Sequence, residues 1–511
     1  MKRFIYTTLC ILLTSVTASA QGEMDALRMA RGELSGTARS ISMGGAFGAL
    51  GGDVGGININ PAGLGIYKSS EIITTVNFRN NQTKTNLNAG DISKSKFQFS
   101  FDNFAMVGAF PTNDDVIPFI NFSFAYNKLK NYDRKYNSIG QNQTSSLTDY
   151  IRERANYGNP DAITGSFPYE GGDWLGALGF NSGLLSVDDD KWFHNPLNDG
   201  ETVNSDLYVR EKGEVDSYDF SIGTTFSDMI SAGLSVAVTN LDYKLYSSHM
   251  EDYRGGGGGG MELVNEMKTE GTGWQVKAGV IFKPVEEFRL GVAYHSPTWY
   301  NMTDYYVADM FLNGVYKEST PYGQTDYDFR TPDKWVFSAA GVIGQRAIIS
   351  VDYELTNYKS NTRYSNVPRR SEMEYANSYI EDDFRNASTI RVGAEVRFTP
   401  QFSGRVGYSW MQSPLNNNIK DNDLGVITSG TVPHYVLEGD ANYFTWGLGY
   451  RFTPHFYTDI AFVIKTQKDD LYNFAKFYEP DVSPRNLLVD NYRASLKNNV
   501  FNGLITFGYK F

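Results

Sequence analysis

Charged side chains recur at alternate positions in otherwise apolar segments, and several of them could bind an anion. Arg391, Arg405 and Arg451 lie in three consecutive segments of this kind, opposite the apolar residues. A guanidinium group binds a carboxylate through charge-assisted hydrogen bonds, so these arginines, together with Lys277, could receive an anionic headgroup. The alternative is a set of internal ion pairs that hold parts of the protein together. We favour ion pairing for most of the charged residues on this face, which are Asp219, Lys277, Arg289, Asp352, Glu354, Arg391, Glu395, Arg405, Arg451 and Asp459.

The segments that carry these charges have the alternation of β-strands. From Ser388 to Phe398 apolar and polar residues alternate, and from Tyr443 to Phe452 aromatic and aliphatic residues alternate with Thr, Gly and Arg. A period of two places the two sets on opposite faces of a strand. About fourteen such segments follow Glu71, most of them close to the ~9–11 residues that a transmembrane strand needs. The apolar face suits lipid and the polar face a water-containing interior.

The connections between these segments alternate in length. Short turns such as Ser227–Asp228 and Thr399–Gln401 alternate with long polar connections, the largest of which runs over about residues 130–215. Outer-membrane barrels have short turns on one side and long loops on the other. The sequence therefore predicts an all-β fold, a transmembrane antiparallel β-barrel of about 14 strands over residues 70–511. Short helices are predicted within the long connections at Ser146–Tyr157 and Met261–Lys268.

The start of the chain and its composition indicate an exported protein. Residues 1–20 contain Lys2 and Arg3, an apolar stretch and the small residues Ala18-Ser19-Ala20, which is the pattern of a cleaved secretory signal. Cys10 lies within this stretch, so the mature chain would contain no cysteine, which excludes disulfides and thiolate chemistry. The excess of 58 acidic over 46 basic residues argues against a nucleic-acid partner.

No sequence motif indicates catalysis. The chain contains no G-x-S-x-G, no H-E-x-x-H and no nucleotide-binding loop. Of the five histidines only His295 is predicted to face inward, and we expect the others at the surface; these are His194, His249, His434 and His455. We therefore expect no catalytic residue, no metal site and no cofactor.

The segment Gly36–Ile66 is rich in Gly and Ala and has too few large side chains to form a core of its own. We expect it to form a compact coil inside the barrel, with glycines supplying backbone turns. Asn60 can close a turn with its side chain, Pro61 fixes the backbone, and Ala62 and Gly63 allow close contact with the wall. A plug whose small shift opens a path is favoured over a stopper that only seals the barrel.

Two motifs in this segment resemble the FadL/TodX family of outer-membrane transporters. Ser40–Phe47 reads SISMGGAF and Asn60–Leu64 reads NPAGL, and the family opens with a similar S-x-x-M-G-G-A run and N-P-A-G-L motif. The resemblance implies a 14-stranded barrel whose lumen is plugged by a hatch, here residues 21–69. It also implies passive, hatch-gated import of hydrophobic small molecules, such as long-chain fatty acids, by a monomer in the outer membrane of a Gram-negative bacterium. This chain has larger loops than the best-known members of the family.

The last segment, FNGLITFGYKF, is an amphipathic strand with a terminal Phe511. It resembles the signal that the outer-membrane barrel assembly machinery reads. The expected partners are thus this machinery, outer-membrane lipid and lipopolysaccharide, and a hydrophobic ligand. Two alternatives remain open: a barrel that displays its loops or mediates adhesion, and a barrel that binds a ligand such as haem without transporting it.

Overall fold

The computed structural model describes residues 22–511 except 199, 256–257, 345, 369, 421–425, 481 and 483–484. The predicted signal segment, residues 1–20 with Cys10, lies outside the described residues. Fourteen antiparallel strands pair in chain order, and the last pairs with the first, so that the sheet closes. This confirms the predicted all-β barrel and its strand number.

The wall strands are numbered β1 to β14 in chain order. They are β1 Glu71–Asn86, β2 Asp91–Pro111, β3 Phe119–Asn131, β4 Thr202–Phe226, β5 Ile230–Arg254, β6 Gly260–Val285, β7 Phe288–His295, β8 Lys334–Ile343, β9 Ala347–Thr356, β10 Ala387–Arg397, β11 Phe402–Met411, β12 Ala441–Arg451, β13 Phe456–Tyr472 and β14 Arg493–Lys510. Shorter strands in the connections are Arg134–Gln143, Ser186–Val187, Phe193–His194, Trp299–Leu312, Val315–Ser319, Gly323–Arg330, Arg363–Ser365, Tyr435–Leu437, Phe477–Tyr478 and Leu487–Val489.

The helices lie in the N-terminal segment and in the long connections. They are α1 Glu23–Ala30, α2 Ala38–Ser42, α3 Val54–Ile57, α4 Leu147–Tyr157, α5 Pro160–Ile163, α6 Trp174–Asn181, α7 Tyr358–Asn361, α8 Arg370–Asp383 and α9 Asn417–Lys420, with 3₁₀ turns at Pro61–Ile66 and Pro168–Glu170. Among the described helices, none has the length and apolar character needed to cross a membrane.

The two faces of the wall follow the alternation in the sequence. In β12, Phe444, Leu448 and Tyr450 are exposed on the outside, whereas Thr445 and Gly447 are buried on the inside. The same pattern is repeated around the barrel, so the outer surface is apolar and rich in aromatic residues. This is the surface that a strand presents to lipid.

Several strands continue far beyond the apolar band. β4 and β5 each have 25 residues and β6 has 26, and their upper parts form the base of the extracellular region. The predicted helix at Met261–Lys268 is wrong because this stretch belongs to β6, where burial alternates with period two. The predicted helix at Ser146–Tyr157 is confirmed as α4, whose first turn is capped by the Ser146 side chain.

The connections between β3 and β4, β7 and β8, β9 and β10, β11 and β12, and β13 and β14 form a cap over one end of the barrel. This is the extracellular end, because the opposite end has only short turns. The cap has its own hydrophobic core, to which α4 contributes Ile151 and α6 contributes Leu178. Met24 and Leu27 of α1 belong to the same core. The N-terminal helix is therefore part of the cap.

Candidate functional site: the hatch and the lumen

Residues 22–69 are called the hatch below; α1 belongs to the cap, and the part that follows it lies inside the barrel. Below α1, the helix α2 packs against β11 to β14, and the turn Pro61–Ile66 packs against β3 to β6. These strands lie on different sides of the wall. The hatch therefore crosses the lumen from one side to the other.

The hatch backbone lies directly on glycine residues of the wall. A Cβ atom at Gly407 would lie 2.1 Å from the amide nitrogen of Gly44, and one at Gly233 would lie 2.2 Å from the carbonyl oxygen of Pro61. Approach this close is possible only where the wall residue has no side chain. Gly291 and Gly393 are further wall positions of this kind, and a Cβ atom at Gly279 would meet the side chain of Asn60.

Asn60 joins two turns of the hatch to the wall. Its Oδ1 accepts a hydrogen bond from the Ala62 amide at 3.0 Å, which caps the 3₁₀ turn that begins with Pro61. Its Nδ2 donates to the carbonyl oxygens of Gly48 at 2.7 Å and Val280 of β6 at 3.3 Å. The side chain is 1% exposed. Asn60 is therefore an anchor of the hatch.

A buried ion-pair network joins the other side of the hatch to the wall. Arg39 of α2 donates to both carboxylate oxygens of Glu395, at 3.0 and 3.1 Å. Arg405 bridges Glu395 and Asp459. Arg39 and Asp53 are the only charged residues in Gly36–Ile66. The contact of Arg39 was not predicted from the sequence. The signal for it was the presence of a charged residue in an otherwise almost uncharged segment.

Other wall side chains bond to the hatch backbone. Asp352 accepts hydrogen bonds from the amides of Phe47 and Gly48, both at 3.0 Å. The imidazole Nε2 of His295 lies 2.9 Å from the carbonyl oxygen of Ile59. His295 faces inward as expected, but its contact is with the hatch backbone.

The structure does not bring the three predicted arginines together. Arg405 is opposite Glu395 on β10 and Gly447 on β12. Arg391 lies four residues above Glu395, and Arg451 lies four residues below Gly447. At about 3.3 Å per residue, each step is roughly 13 Å along the strands. Arg451 is exposed at the periplasmic end of β12.

Lys277 and Arg391 instead line a cavity of about 180 Å³ in the lumen, between the hatch and the wall. Lys334, the first residue of β8, lies on the same cavity, and the sequence analysis missed it although it shares the inward phase of Val336 and Ser338. The cavity also has an apolar side formed by Met29, Leu129, Tyr300, Pro332, Tyr358 and Met411. We call this cavity the chamber.

The described charged side chains of the chamber form two groups. Nη2 of Arg391 donates to Glu354 at 2.8 Å, and Nζ of Lys334 lies 3.7 Å from the same carboxylate. Lys277 is paired separately with Asp219, at 2.7 Å. Nη1 of Arg391 is buried and has no hydrogen-bond partner among the described residues. Two cations therefore contact the carboxylate of Glu354, and a second carboxylate, Asp352 of β9, lies directly opposite Arg391 in the strand register.

The wall is incomplete between β2 and β3. Their pairing ends at Asn103 and Asn127, and in the described structure residues 91–102 of β2 pair only with β1. Strand Arg134–Gln143, which follows β3, packs on β1 and β2. Thr83 of β1 donates to the Lys135 carbonyl at 2.6 Å, and Lys96 of β2 donates to Asp133 at 2.7 Å. We call the opening beside residues 91–102 the wall gap. Outside it, three aromatic side chains are exposed: Phe97, Phe99 and Phe101.

Two histidines expected at the surface are buried in the extracellular region. His249 is 1% exposed and His434 is 5% exposed. Burial lowers the pKa of His434 to about 3, so its imidazole is neutral at physiological pH. The part of the chain that the structure describes holds no group of three or more His, Cys, Asp or Glu residues arranged for a metal ion.

A comparison with protein families matches residues 214–501, more than half of the chain, to "Outer membrane protein transport protein (OMPP1/FadL/TodX)". The chain belongs to this family. As a FadL/TodX protein with a β-barrel fold, it is located in the outer membrane of a Gram-negative bacterium. The family match gives outer-membrane transport as its general role.

The solved structures to which this FadL/TodX protein is similar share the fold at low sequence identity. A Pseudomonas aeruginosa FadL homologue is 14% identical with a TM-score of 0.55, covering 93% of this chain and 98% of that one. A TodX deltaS2S3 mutant, a monoaromatic hydrocarbon channel, is 13% identical with a TM-score of 0.51, covering 94% and 100%. The Ralstonia pickettii toluene transporter TbuX is 13% identical with a TM-score of 0.49, covering 94% and 99%. No curated protein matches the sequence.

Replacement of Gly407 by Ala should displace the hatch, because the added methyl group meets the backbone of Gly44. Overpacking of this kind costs about 1–3 kcal/mol. We expect a lower melting temperature in detergent and a higher ion conductance in planar bilayers. The matched control is Gly341→Ala in β8, where a Cβ would meet no atom within 4 Å. Equal behaviour of the two variants would contradict the proposed role of the wall glycines.

The Arg39→Gln variant should loosen the α2 side of the hatch. It removes two hydrogen bonds to Glu395, and a bond to a charged group contributes about 1.5–3 kcal/mol. We expect faster proteolysis of the hatch and increased conductance. The control Lys283→Gln removes an exposed pair with Glu286 in a periplasmic turn, which contributes about 0–1 kcal/mol. An Arg39→Gln protein as closed and stable as this control would show that the network does not hold the hatch.

Proposed function

We propose that this protein imports hydrophobic small molecules that carry an acidic group, by passive diffusion gated by the hatch. Long-chain fatty acids are one such class. The observation that carries this proposal is the chamber, in which an apolar side faces a cationic pair, Lys334 and Arg391, that shares the single carboxylate of Glu354.

An acidic headgroup would complete the hydrogen bonding of the chamber. A ligand carboxylate beside Arg391 could accept a hydrogen bond from Nη1, which has no partner among the described residues. Lys334 could contribute a second one from Nζ. Such charge-assisted bonds are roughly twice as strong as neutral ones.

The volume of the chamber limits what it holds in this state. An engineered cavity of about 150 Å³ binds benzene, so 180 Å³ accommodates a headgroup with a ring or a few methylenes. A longer acyl chain needs more room. Met29 and Met411 line the apolar side, and methionine side chains adapt readily to new shapes. We infer that a long chain enters by displacing these residues and the hatch beside them.

The wall gap is the proposed exit to the membrane. A small cavity of about 30 Å³ behind it is lined by Ser100 of β2 and Leu129 of β3. Hatch residues Glu33 and Ser35 line both this cavity and the chamber. A shift of this part of the hatch would join the two spaces. In this proposal Asn60, Pro61, Ala62 and Gly63 anchor the hatch while residues 32–35 move.

One of the similar structures, the TodX deltaS2S3 mutant, is a channel for monoaromatic hydrocarbons. Those ligands are uncharged, whereas the chamber of this chain has a cationic pair at one end. We therefore propose acids for this chain.

The proposal includes the biogenesis expected from the sequence. The chain would be exported with residues 1–20 as a cleaved signal and inserted by the barrel assembly machinery through β14 and Phe511. It would act as a monomer among outer-membrane lipid and lipopolysaccharide, with no cofactor and no catalytic step.

A second candidate function is binding or display at the cell surface without transport. One observation favours it: the cap has a hydrophobic core that includes α1 and covers the extracellular end of the barrel. Uptake measurements distinguish the two functions, because a display protein would bind a ligand and not move it across the membrane.

Removal of the cationic pair should reduce the uptake of acids selectively. Arg391→Gln removes one of the two cations, and Lys334→Gln removes the other. We expect both variants to bind an acidic ligand about 10–100-fold more weakly, the loss that corresponds to about 1.4–3 kcal/mol. Binding is measured by isothermal titration with a medium-chain fatty acid, and uptake in proteoliposomes.

Two controls accompany this measurement. Uptake of toluene, which has no charge, should be unchanged in both variants. Arg451→Gln removes an exposed arginine at the periplasmic end of β12 and should leave acid uptake unchanged. Unaltered acid binding in the chamber variants would refute the headgroup site, and loss of toluene uptake would show general damage to the channel.

Blocking the wall gap should stop transport. The predicted mature chain contains no cysteine, so a single introduced thiol can be modified without side reactions. A bulky maleimide on Ser100→Cys, behind the gap, should abolish uptake and leave ligand binding in place. The same reagent on Ser95→Cys, which is exposed further along β2, should have little effect. Full uptake by the labelled Ser100→Cys protein would exclude this exit.

A further inference from the structure

Three lysines lie directly opposite one another on the outer face of the extracellular strands. In the strand register Lys212 of β4 lies opposite Lys244 of β5, and Lys244 lies opposite Lys268 of β6. All three are exposed or half-exposed and share the outward phase of the lipid-facing residues below them. Like charges directly opposite on neighbouring strands destabilise a sheet. An anion bound across these lysines, which we call the lysine row, would relieve the repulsion.

The lysine row lines a groove of about 370 Å³. Arg210, two residues above Lys212 on β4, is a fourth cation of this groove, and Glu266 is the acidic residue of its described lining. Three tyrosines complete the lining, namely Tyr246, Tyr305 and Tyr322. The rings of Tyr305 and Tyr322 are stacked, with their centroids 6.0 Å apart. The groove therefore combines positive charge with flat apolar surfaces.

A row of carboxylates lies two residues nearer the membrane. It consists of Glu214, Asp242 and Glu270. Lys244 pairs with this row at 3.3 Å and Lys268 at 2.5 Å. These pairs are exposed to solvent, and exposed pairs contribute little to stability, so the lysines can exchange these partners for another anion. Lys212 and Arg210 form no ion pair with a described residue.

The groove lies well above the apolar band of the barrel. The uppermost row of exposed apolar residues on the same three strands is Tyr218, Val238 and Trp274, which also lie opposite one another. Each is six residues from the lysine of its own strand, which is about 20 Å along the strand. A strand tilt of about 35–45° reduces this to a height of about 15 Å. The headgroups of a bilayer add only about 5–8 Å on each side of the hydrocarbon core. The lysine row therefore lies beyond phospholipid headgroups.

We propose that the groove binds the phosphorylated saccharide of lipopolysaccharide from the surrounding outer leaflet. Lipopolysaccharide is anchored by its acyl chains and carries phosphate groups on sugars that stand above them, so it reaches this height from within the membrane. Its phosphates would accept charge-assisted hydrogen bonds from the lysines. Its sugar rings would pack against the apolar faces of the tyrosines.

The proposal gives a site to a partner that the sequence analysis expected without one. It rests on the location of the protein in the outer membrane and not on the proposed transport. Because Tyr305 belongs to the strand Trp299–Leu312 of the cap, the groove is formed partly by the wall and partly by the cap. A bound lipopolysaccharide would thus hold the cap against β6.

Replacement of the lysine row tests the proposal. Lys212→Gln/Lys244→Gln/Lys268→Gln removes three cations, and by the usual contribution of a lysine near an anionic lipid surface the binding should weaken about 100-fold. Binding is measured by microscale thermophoresis on the full chain, purified in detergent and freed of native lipid. The probe is lipopolysaccharide that ends after its phosphorylated core. Wild-type affinity in the triple variant would overturn the proposal.

Two further variants separate the site from net charge and from misfolding. Replacement of the same three lysines by arginine keeps the charges and should preserve most of the binding, whereas an equal 100-fold loss would exclude recognition by charge. Lys68→Gln/Lys283→Gln/Lys359→Gln removes the same charge at the periplasmic end and in α7, and should bind as the wild type does. A matching loss in this variant would overturn a localised site.

Two other probes distinguish lipopolysaccharide from other sources of the same chemistry. Inorganic phosphate should not bind at the concentrations at which lipopolysaccharide does, and dephosphorylated lipopolysaccharide should bind more weakly. Equal binding of inorganic phosphate would assign the groove to a soluble anion, and equal binding of the dephosphorylated form would show that the phosphates are not recognised. Either result overturns the proposal. Uptake of acids is measured separately on the chamber variants, so a failure of this site and a failure of the transport function are distinguishable.

Discussion

The close contact between the hatch backbone and the wall glycines is the constraint on which the rest of the lumen depends. At Gly407 and Gly233 the wall has no side chain, and peptide groups of the hatch fill the space. Peptide groups in a lumen must find hydrogen-bond partners. The wall supplies them through polar side chains such as Asp352 and Asn121, which bond to the hatch backbone. A plug of small residues can thus be both tightly packed and polar.

The charges of the lumen divide into two groups with different consequences. Around Glu395, two arginines and two carboxylates pair completely and join hatch to wall. Around Glu354, two cations share one carboxylate next to a cavity with an apolar side. The first arrangement is satisfied within the protein and acts as structure. In the second arrangement Nη1 of Arg391 has no hydrogen-bond partner among the described residues, which is the physical reason for which we propose a ligand there.

The cap gives the N-terminal helix a role beyond plugging. Because α1 shares a hydrophobic core with α4 and α6, a displacement of α1 would also disturb the packing of the cap. The hatch segment between α1 and α2 contains Glu33, which pairs with Arg79 and Lys465 of the wall. These nearby cations lower the pKa of Glu33, so the carboxylate is charged at physiological pH. The segment is therefore held by ion pairs that water or an anionic ligand could exchange.

The sequence by itself determined the barrel, its fourteen strands and the family. Alternation in segments such as Tyr443–Phe452 depends only on which face meets lipid, a local property that every strand displays. The NPAGL motif could be recognised from the sequence because Asn60 and Pro61 stabilise a local turn, which Asn60 caps and Pro61 begins. Alternation also decided that Lys277 and Arg391 face inward. The sequence pattern was misinterpreted at Met261–Lys268, which was predicted to be a helix and is part of β6 beyond the apolar band.

The relative heights of inward residues were decided by tertiary structure alone. Arg391, Arg405 and Arg451 share a face, but the register of β10, β11 and β12 separates each from the next by roughly 13 Å. The pairing of Arg39 with Glu395 joins residues 356 positions apart, and no local pattern encodes such a contact. The wall gap likewise depends on where β3 leaves β2. Period and composition specify faces, whereas register and packing specify which side chains meet.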